Sequence, residues 1–353
     1  MSEMVIISHA DLFTAVRDLF EACGLTRDDA DRGAYVFVTA ELRGVSSHGI
    51  QLMFGNLERL AGGAIDPHAR PEVVTRTDSI AIIDAHRALG PVAGCLAAET
   101  AIEMARENAL GYCLVRNSNH YGSAGVFALM PVREGFVAIS TSICGPTMAI
   151  HGGIERVIGT NPIAIAAPPP PGYDHPIMLD MATSTAAIGK IGVLKDRGEQ
   201  PPRAWFADKD ITDEPRVLAP AGGAKGSGLA VMLEILNGVL TGGAVLSRMR
   251  PDNFRQDSDN ASHSIVVIDY ERFMTRSDYN QTMLNLIAEL KSARCESGVN
   301  EILLPGERAG RETRKRMEHG IPLPRSIAQR LDDEAGRLGT SLPWGDVRRL
   351  KTP

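Results

Sequence analysis

Between Gly135 and Tyr173 the chain carries only two Asp, Glu, Lys or Arg residues, Glu155 and Arg156. A segment so poor in charge must be buried, either in a membrane or in a protein core. A membrane-spanning helix needs about 20 consecutive apolar residues. Gly135 to Ile154 is long enough, but Ser140, Thr141, Ser142, Gly145, Pro146, Gly152 and Gly153 interrupt it. The stretch therefore predicts a buried strand over Phe136 to Ser142 and then a tight, backbone-dominated loop, with no membrane partner.

The rest of the composition agrees with a packed core. At about 150 residues per domain, the length of the chain predicts about two domains. Hydrophobic residues make up 44% and charged residues 23%, which is ordinary for a globular protein. The 35 Gly and 21 Pro residues predict many turns, and no internal repeat is present. A net charge of −6 argues against a nucleic-acid partner, because neutralising phosphates needs clustered Lys and Arg. The basic run Arg311 to Arg316 is broken by Glu312 and Thr313 and reads as a solvated helix face. Cys23, Cys95, Cys113, Cys144 and Cys295 are far apart, with no zinc-ligand spacing. Neither a structural metal nor a disulfide framework is expected, and reduced thiols suit a cytoplasmic protein. The N-terminus lacks a basic region before an apolar stretch, so no signal peptide is expected.

Helix signals sit at both ends of the chain. Ser8 with Asp11, and Thr26 with Asp29, read as N-terminal caps of two helices, the second running to about Leu42. A third helix is predicted over Leu52 to Leu60, and Pro67 to Pro71 reads as a linker. Strands follow at Val73-Val74, Ile80 to Ile83, Cys113 to Val115, Ile163 to Ala167, Ile177 to Leu179, Ser264 to Ile268 and Glu301 to Leu304. Helices are predicted at Pro91 to Asn108, Ser123 to Glu134, Thr183 to Asp196, Lys225 to Leu240, Tyr279 to Arg294, Arg311 to His319 and Ser326 to Leu338. The pattern predicts a mixed α/β chain of the α+β type, a central sheet with a helical layer built from both termini.

Three segments carry candidate chemistry. Arg43-Gly44-Val45-Ser46-Ser47-His48-Gly49 puts a histidine in a loop between helices, where it could act as a general acid or base with Ser47 orienting it; the alternative is a capping serine and a surface histidine. Arg116 to Gly122 places Asn117, Ser118, Asn119, His120 and Tyr121 at a strand end, just before a helix, as expected of a ligand site or of a plain polar turn. Gly222 to Gly228 is a glycine-rich turn with Lys225 inside it, suited to an anion, or simply a helix opening. No Walker A sequence is present, since Gly189-Lys190 is followed by Ile191. No GxGxxG follows a strand. A P-loop enzyme and a Rossmann dehydrogenase are both unsupported.

Taken together, these motifs resemble the malate/L-lactate dehydrogenase family, the NAD(P)-dependent oxidoreductases that lack a Rossmann fold. The matching segments are Leu42 to Gly49, Arg116 to Gly122, Gly159-Thr160-Asn161-Pro162, Leu179 to Ser184, Gly189-Lys190, Lys225 to Gly228, Leu304 to Glu307 and Gly320 to Leu323. The resemblance implies a mainly antiparallel sheet over residues 72–304 that binds NAD or NADP. It also implies a helical substrate and dimerisation domain from residues 1–71 and 305–353, and a homodimer with its site near the subunit interface. The implied reaction is hydride transfer between the cofactor and C2 of a small keto or hydroxy acid. The alternatives are reduction of a cyclic imino acid, or a cofactor-binding member that has lost catalysis.

Carried over residue by residue, His48 matches the proton donor, Ser47 its supporting hydroxyl, and His120 a second histidine named as acceptor in some members. Tyr121, Gly122, Cys144, Asp180, Met181, Ala182, Lys225, Gly226, Gly306 and Glu307 fall in cofactor-contacting segments, His120 among them. Thr160, Lys190 and Arg43 fall on the substrate side. Two departures stand out. Leu52 occupies the position of a family arginine suited to grip a carboxylate, which moves that role to a residue such as Lys190 or Arg59. Cys144 stands where a small hydroxyl or amide residue is usual. Lys190 replaces the aspartate that imino-acid reductases carry, which favours carbonyl chemistry.

Overall fold

The computed structural model describes residues 3–196, 198–208, 217–249, 252–350 and 352. Its N-terminal third is set by local signals. A short strand β1 (Met4–Ile7) leads into helix α1 (His9–Ala22), and α2 (Arg27–Leu42) follows. Each begins at the expected cap: Ser8 accepts the Asp11 amide and Thr26 accepts the Asp29 amide, replacing bonds that a helix start lacks. A short 3-10 turn, Ser46–His48, then carries the chain into α3 (Ile50–Gly62).

The sheet comes next. Strands β2 (Glu72–Arg76) and β3 (Ile80–Asp84) precede helix α4 (Gly90–Asn108) and strand β4 (Leu110–Ser118). Helix α4 presents Ala97, Ala98, Ala101 and Ala105 to the core, all nearly inaccessible. Such small residues let it lie so close to β4 that a Cβ on Gly111 would collide with the Ala101 carbonyl. After helix α5 (Ala124–Arg133) come β5 (Val137–Ser142), β6 (Ile163–Ala167) and β7 (Ile177–Met181), then α6 (Ile188–Asp196), α7 (Ala224–Glu234), β8 (Ala261–Ile268) and α8 (Arg276–Ser292). The seven strands run in the order β2-β3-β4-β8-β5-β6-β7. Only β3 and β4 are parallel, joined through α4; the other five pairings are antiparallel. This is the mixed, mainly antiparallel sheet that the family resemblance implies. The low-charge stretch supplies β5, β6 and the loop between them.

Helix α9 (Glu307–His319), strand β9 (Ile321–Pro324) and helix α10 (Arg325–Leu338) complete the chain. Strand β9 pairs antiparallel with β1, Val5 opposite Leu323 and Ile7 opposite Ile321. Two large apolar cores result. One lies between the sheet and α4 and α5, around Ile83, Val115, Phe127 and Ile265. The other holds both termini together, around Val5, Leu12, Phe20, Phe54, Leu323 and Leu331. Among the described residues no helix is long and apolar enough to cross a membrane.

The structure departs from the sequence expectations in several places. Residues 301–304 form no ladder; the Leu304 amide is taken by the Glu307 carboxylate instead. The helix expected from Thr183 begins only at Ile188, because residues 183–185 bond to neighbouring loops: Thr183 N to Thr160 O, Thr185 N to Ala219 O. Helix α7 ends at Glu234 and continues as a π-helical turn, Ile235–Val239. Strand β4 extends through Arg116 to Ser118, residues expected in a loop. The terminal strands β1 and β9 were not foreseen. The basic run on α9 is not wholly solvated either. The Arg316 side chain is only 12% exposed, bonded to Glu312 and to the Glu41 carbonyl.

Candidate active site

Two histidines meet at the junction of the helical layer and the sheet. His48 lies on the 3-10 turn before α3, and His120 follows β4. Their rings stack with centroids 6.2 Å apart. Ser47 Oγ lies 2.9 Å from His48 Nδ1, leaving Nε2 as the nitrogen free to exchange a proton. Burial pushes the His48 pKa below its ordinary value, and the nearby Asp180 charge pulls the other way. His48 is therefore neutral near pH 7.

His120 is held differently. The Gly122 amide donates to its Nδ1 at 3.1 Å, so Nδ1 is unprotonated and the ring proton sits on Nε2. Its pKa is also lowered, by burial first and then by proximity to His48, against an upward pull from Asp259. The loop bearing it is pinned from three sides. Asp259 accepts the His120 amide at 2.9 Å; Arg59 grips Asp259 and Asn119 at 2.6 and 3.1 Å; Asn119 donates to the carbonyls of Arg87 and Ala88. Below it lies His263, wholly buried, its Nε2 3.1 Å from the Asn119 carbonyl and its Nδ1 2.8 Å from Ser142 Oγ. A carbonyl can only accept, so His263 carries its proton on Nε2 and stays neutral, with its pKa pushed down to about 3 by burial and by His120.

Other expected site residues converge on this junction. Asp180, at the end of β7, accepts from Ser123 Oγ at 2.6 Å and from the Gly125 amide at 3.2 Å, capping the start of α5 from across the fold. Helix α6 approaches the turn that carries His48 through Gly189, where a Cβ would stand 2.9 Å from the Ser47 Cβ. That packing carries Lys190 to the wall of a cavity of about 590 Å³, lined also by Met181, Ala182, Trp205 and Gly222. Lys190 Nζ lies 5.0 Å from the centre of the Trp205 ring. Backbone bonds tie the cavity together. Thr183 bonds twice to the Thr160 carbonyl, the Ala221 amide bonds to Thr183 O, and Gly226 packs where a Cβ would stand 2.6 Å from that same oxygen.

This cavity fits a dinucleotide cofactor. Gly222 and Gly223 both adopt positive φ, +61° and +62°, conformations that suit glycine. A Cβ on Gly222 would find nothing nearer than 3.9 Å. Exposed Lys225 sits in the first turn of α7. An uncrowded glycine turn, a helix start and a cation are the components of an anion cradle.

The remaining expected residues lie elsewhere. The Tyr121 ring is buried between Phe127 and His263, at 4.4 and 4.1 Å. Gly306 packs on Met178 at the opposite end of β7 from Met181, and buried Glu307 is engaged by Lys291 and Arg311. Arg43 is 8% exposed, its guanidinium 3.9 Å from the Met178 sulfur. Cys144 is a protonated thiol, its pKa raised by burial, 3.7 Å from Thr160 Oγ1. Arg59, one residue considered as a replacement for the missing arginine, is committed to Asp259 and Asn119. Leu52 packs against the terminal core. Sequence reasoning missed Glu41, Asp259 and His263, which belong to no motif and gain meaning only from the contacts the fold makes.

This architecture defines a non-Rossmann α/β oxidoreductase. Residues 7–332 match the malate/L-lactate dehydrogenase family model, and the chain belongs to that family. It is 35% identical over 343 residues to a malate dehydrogenase of Pyrococcus horikoshii, covering 93% of this chain and 94% of the relative. The solved structure of the Pyrococcus horikoshii enzyme superposes with a TM-score of 0.87, at 33% identity, over 97% of this chain and all of that one. It is 31% identical to an Escherichia coli ureidoglycolate dehydrogenase (NAD(+)), covering 93% and 95%. A (2R)-3-sulfolactate dehydrogenase (NADP(+)) of Chromohalobacter salexigens is 32% identical, with coverage of 94% and 98%. The protein is an NAD(P)-dependent oxidoreductase of the 2-hydroxyacid dehydrogenase type.

Proposed function

We propose that this protein interconverts a small 2-hydroxy acid and its 2-keto acid, with His48 as the group that moves the proton. The observation that carries the proposal is the stacked His48–His120 pair, with the Asp180 charge near His48 and Gly189 of α6 packed on Ser47. When bound, NAD or NADP accepts or supplies the hydride at C2 of the substrate. His48 Nε2 takes the hydroxyl proton in oxidation, because a lowered pKa leaves the ring neutral and able to accept it. In reduction the protonated ring returns that proton to the developing alkoxide. Ser47 keeps Nδ1 engaged, and His120 offers a fixed Nε2–H as a donor to the substrate oxygen.

Among the substrate residues, Lys190 lines the cavity and is exposed, so it is the cation assigned to the carboxylate, with Thr160 and Arg43 assigned to the same side. Lys225 with the Gly222 to Gly226 turn holds cofactor phosphate. Asp180, Met181 and Ala182 form the adjoining wall, and Gly122 and Cys144 approach from β4 and β5. Gly306 and Glu307 shape the far end of β7. The relatives named for malate and for sulfolactate support a substrate with a second anionic group. The two apolar cores support a helical domain from residues 1–71 and 305–353 and a cofactor domain from residues 72–304. The exposed apolar side chains of Met232, Leu236, Val239 and Leu240, on α7 and the turn after it, support a homodimer with the site nearby. Five unpaired cysteines support a cytoplasmic location.

The test is a panel of keto acids, with and without an amine, assayed against NADH and NADPH. His48→Ala should lower kcat by about 100-fold or more, with cofactor binding retained. Unchanged turnover would remove His48 from its role, and activity only when an imine can form would replace carbonyl chemistry with C=N reduction.

A further inference from the structure

The turn that carries His48 is held at both ends by one buried carboxylate. Glu41, near the end of α2, is 2% exposed. Its Oε2 accepts from Ser46 Oγ at 2.9 Å, and its Oε1 accepts from the Ile50 amide at 3.0 Å. Ser46 and Ile50 bracket Ser47, His48 and Gly49. Gly49 has no side chain to intervene: a Cβ there would lie 2.5 Å from Glu41 Cγ and 2.6 Å from Cδ. Arg316, from α9, donates to the Glu41 backbone carbonyl at 2.6 Å and places its guanidinium 3.7 Å from Oε2.

A surface turn needs no such device. A buried carboxylate loses hydration, and that loss is offset only when donors replace the water. Here the replacing donors are the two ends of the catalytic turn. The Ile50 amide is one of the first amides of α3 and would otherwise be orphaned. We propose that Glu41 is a positioning residue: its two hydrogen bonds fix the His48 turn so that Nδ1 meets Ser47 and Nε2 faces the substrate. Helix α9, through Arg316, fixes Glu41 in turn, so the C-terminal segment supports the catalytic turn.

This inference rests on the proton-transfer role of His48, and the variants separate the two claims. Glu41→Ala removes both bonds. The expected result is a kcat lower by about tenfold or more, with NADH binding, read by its fluorescence, within about twofold of the parent. The acid limb of the kcat–pH profile should move upward toward the ordinary histidine value, since a loosened turn lets water reach His48. Glu41→Gln should restore kcat to within about threefold, because its oxygen can accept from Ile50 while its amide donates to Ser46 Oγ. Ser46→Ala deletes one end of the clamp and covers the case in which Glu41→Ala does not fold; a fall in kcat of about threefold or more is expected. The proposal is overturned if a folded Glu41→Ala enzyme, or Ser46→Ala in its place, keeps the parent kcat and pH profile. It is overturned equally if Glu41→Gln is as impaired as Glu41→Ala. If His48→Ala leaves turnover unchanged, the proton-transfer role itself fails, independently of the clamp.

Discussion

Replacing Gly49 by alanine applies a single methyl group to the tightest point of the catalytic turn. The first cost is steric. The added Cβ would overlap three Glu41 atoms, and Glu41 cannot swing outward because it is buried beneath α9. Overpacking of a close-packed site costs about 1–3 kcal/mol. Displacing the carboxylate also leaves the Ile50 amide without an acceptor, worth about 1–3 kcal/mol. The two overlap in origin, so the combined cost is about 2–4 kcal/mol rather than their full sum. At about 1.3 °C per kcal/mol for a chain of this length, Tm should fall by about 3–5 °C. Scanning calorimetry with parallel kcat measurements is the assay, and turnover should fall with stability because the displaced turn carries His48. A Tm within about 1 °C of the parent, with kcat unchanged, would refute the tight packing of Gly49 on Glu41.

Other outcomes follow from the same geometry. Gly336→Ala, inside α10 with nothing within 4 Å of the new Cβ, should raise stability by up to about 1 kcal/mol, and a fall in Tm would contradict its open placement. Lys225→Ala should raise the cofactor KM more than it lowers kcat, and the reverse pattern would remove Lys225 from the anion cradle. Burial lowers the pKa of His263 to about 3, against about 6.5 in an unfolded chain. The neutral ring therefore contributes stability above pH 6.5 that drains away as pH falls from 6.5 toward 3. Denaturant titrations should show this loss, and a His263→Gln variant should lose less stability over that interval than the parent.

What could be read from the sequence was what a few neighbouring residues settle among themselves. Ser8 and Thr26 cap their helices by bonds that span three residues, so the helix starts were visible without the fold. The low-charge stretch signalled burial. The motifs around His48, His120, Lys190 and Lys225 marked the segments proposed to carry the chemistry. They did not show that the two rings stack, because α3 and β4 set that distance together. Strands β1 and β9 were hidden for a related reason. Each is only four residues long, β9 contains two prolines, and they pair across nearly the whole chain, so neither shows the alternation that marks a strand by itself. That pairing nevertheless anchors the segment from which Arg316 reaches Glu41. Glu41 looked like an ordinary helix residue, Asp259 like part of a polar loop and His263 like a residue in a strand. Each owes its role to a partner far away in sequence. The residues proposed to perform the chemistry are thus legible as motifs, whereas the partners packed around them become visible only once the termini close over the sheet.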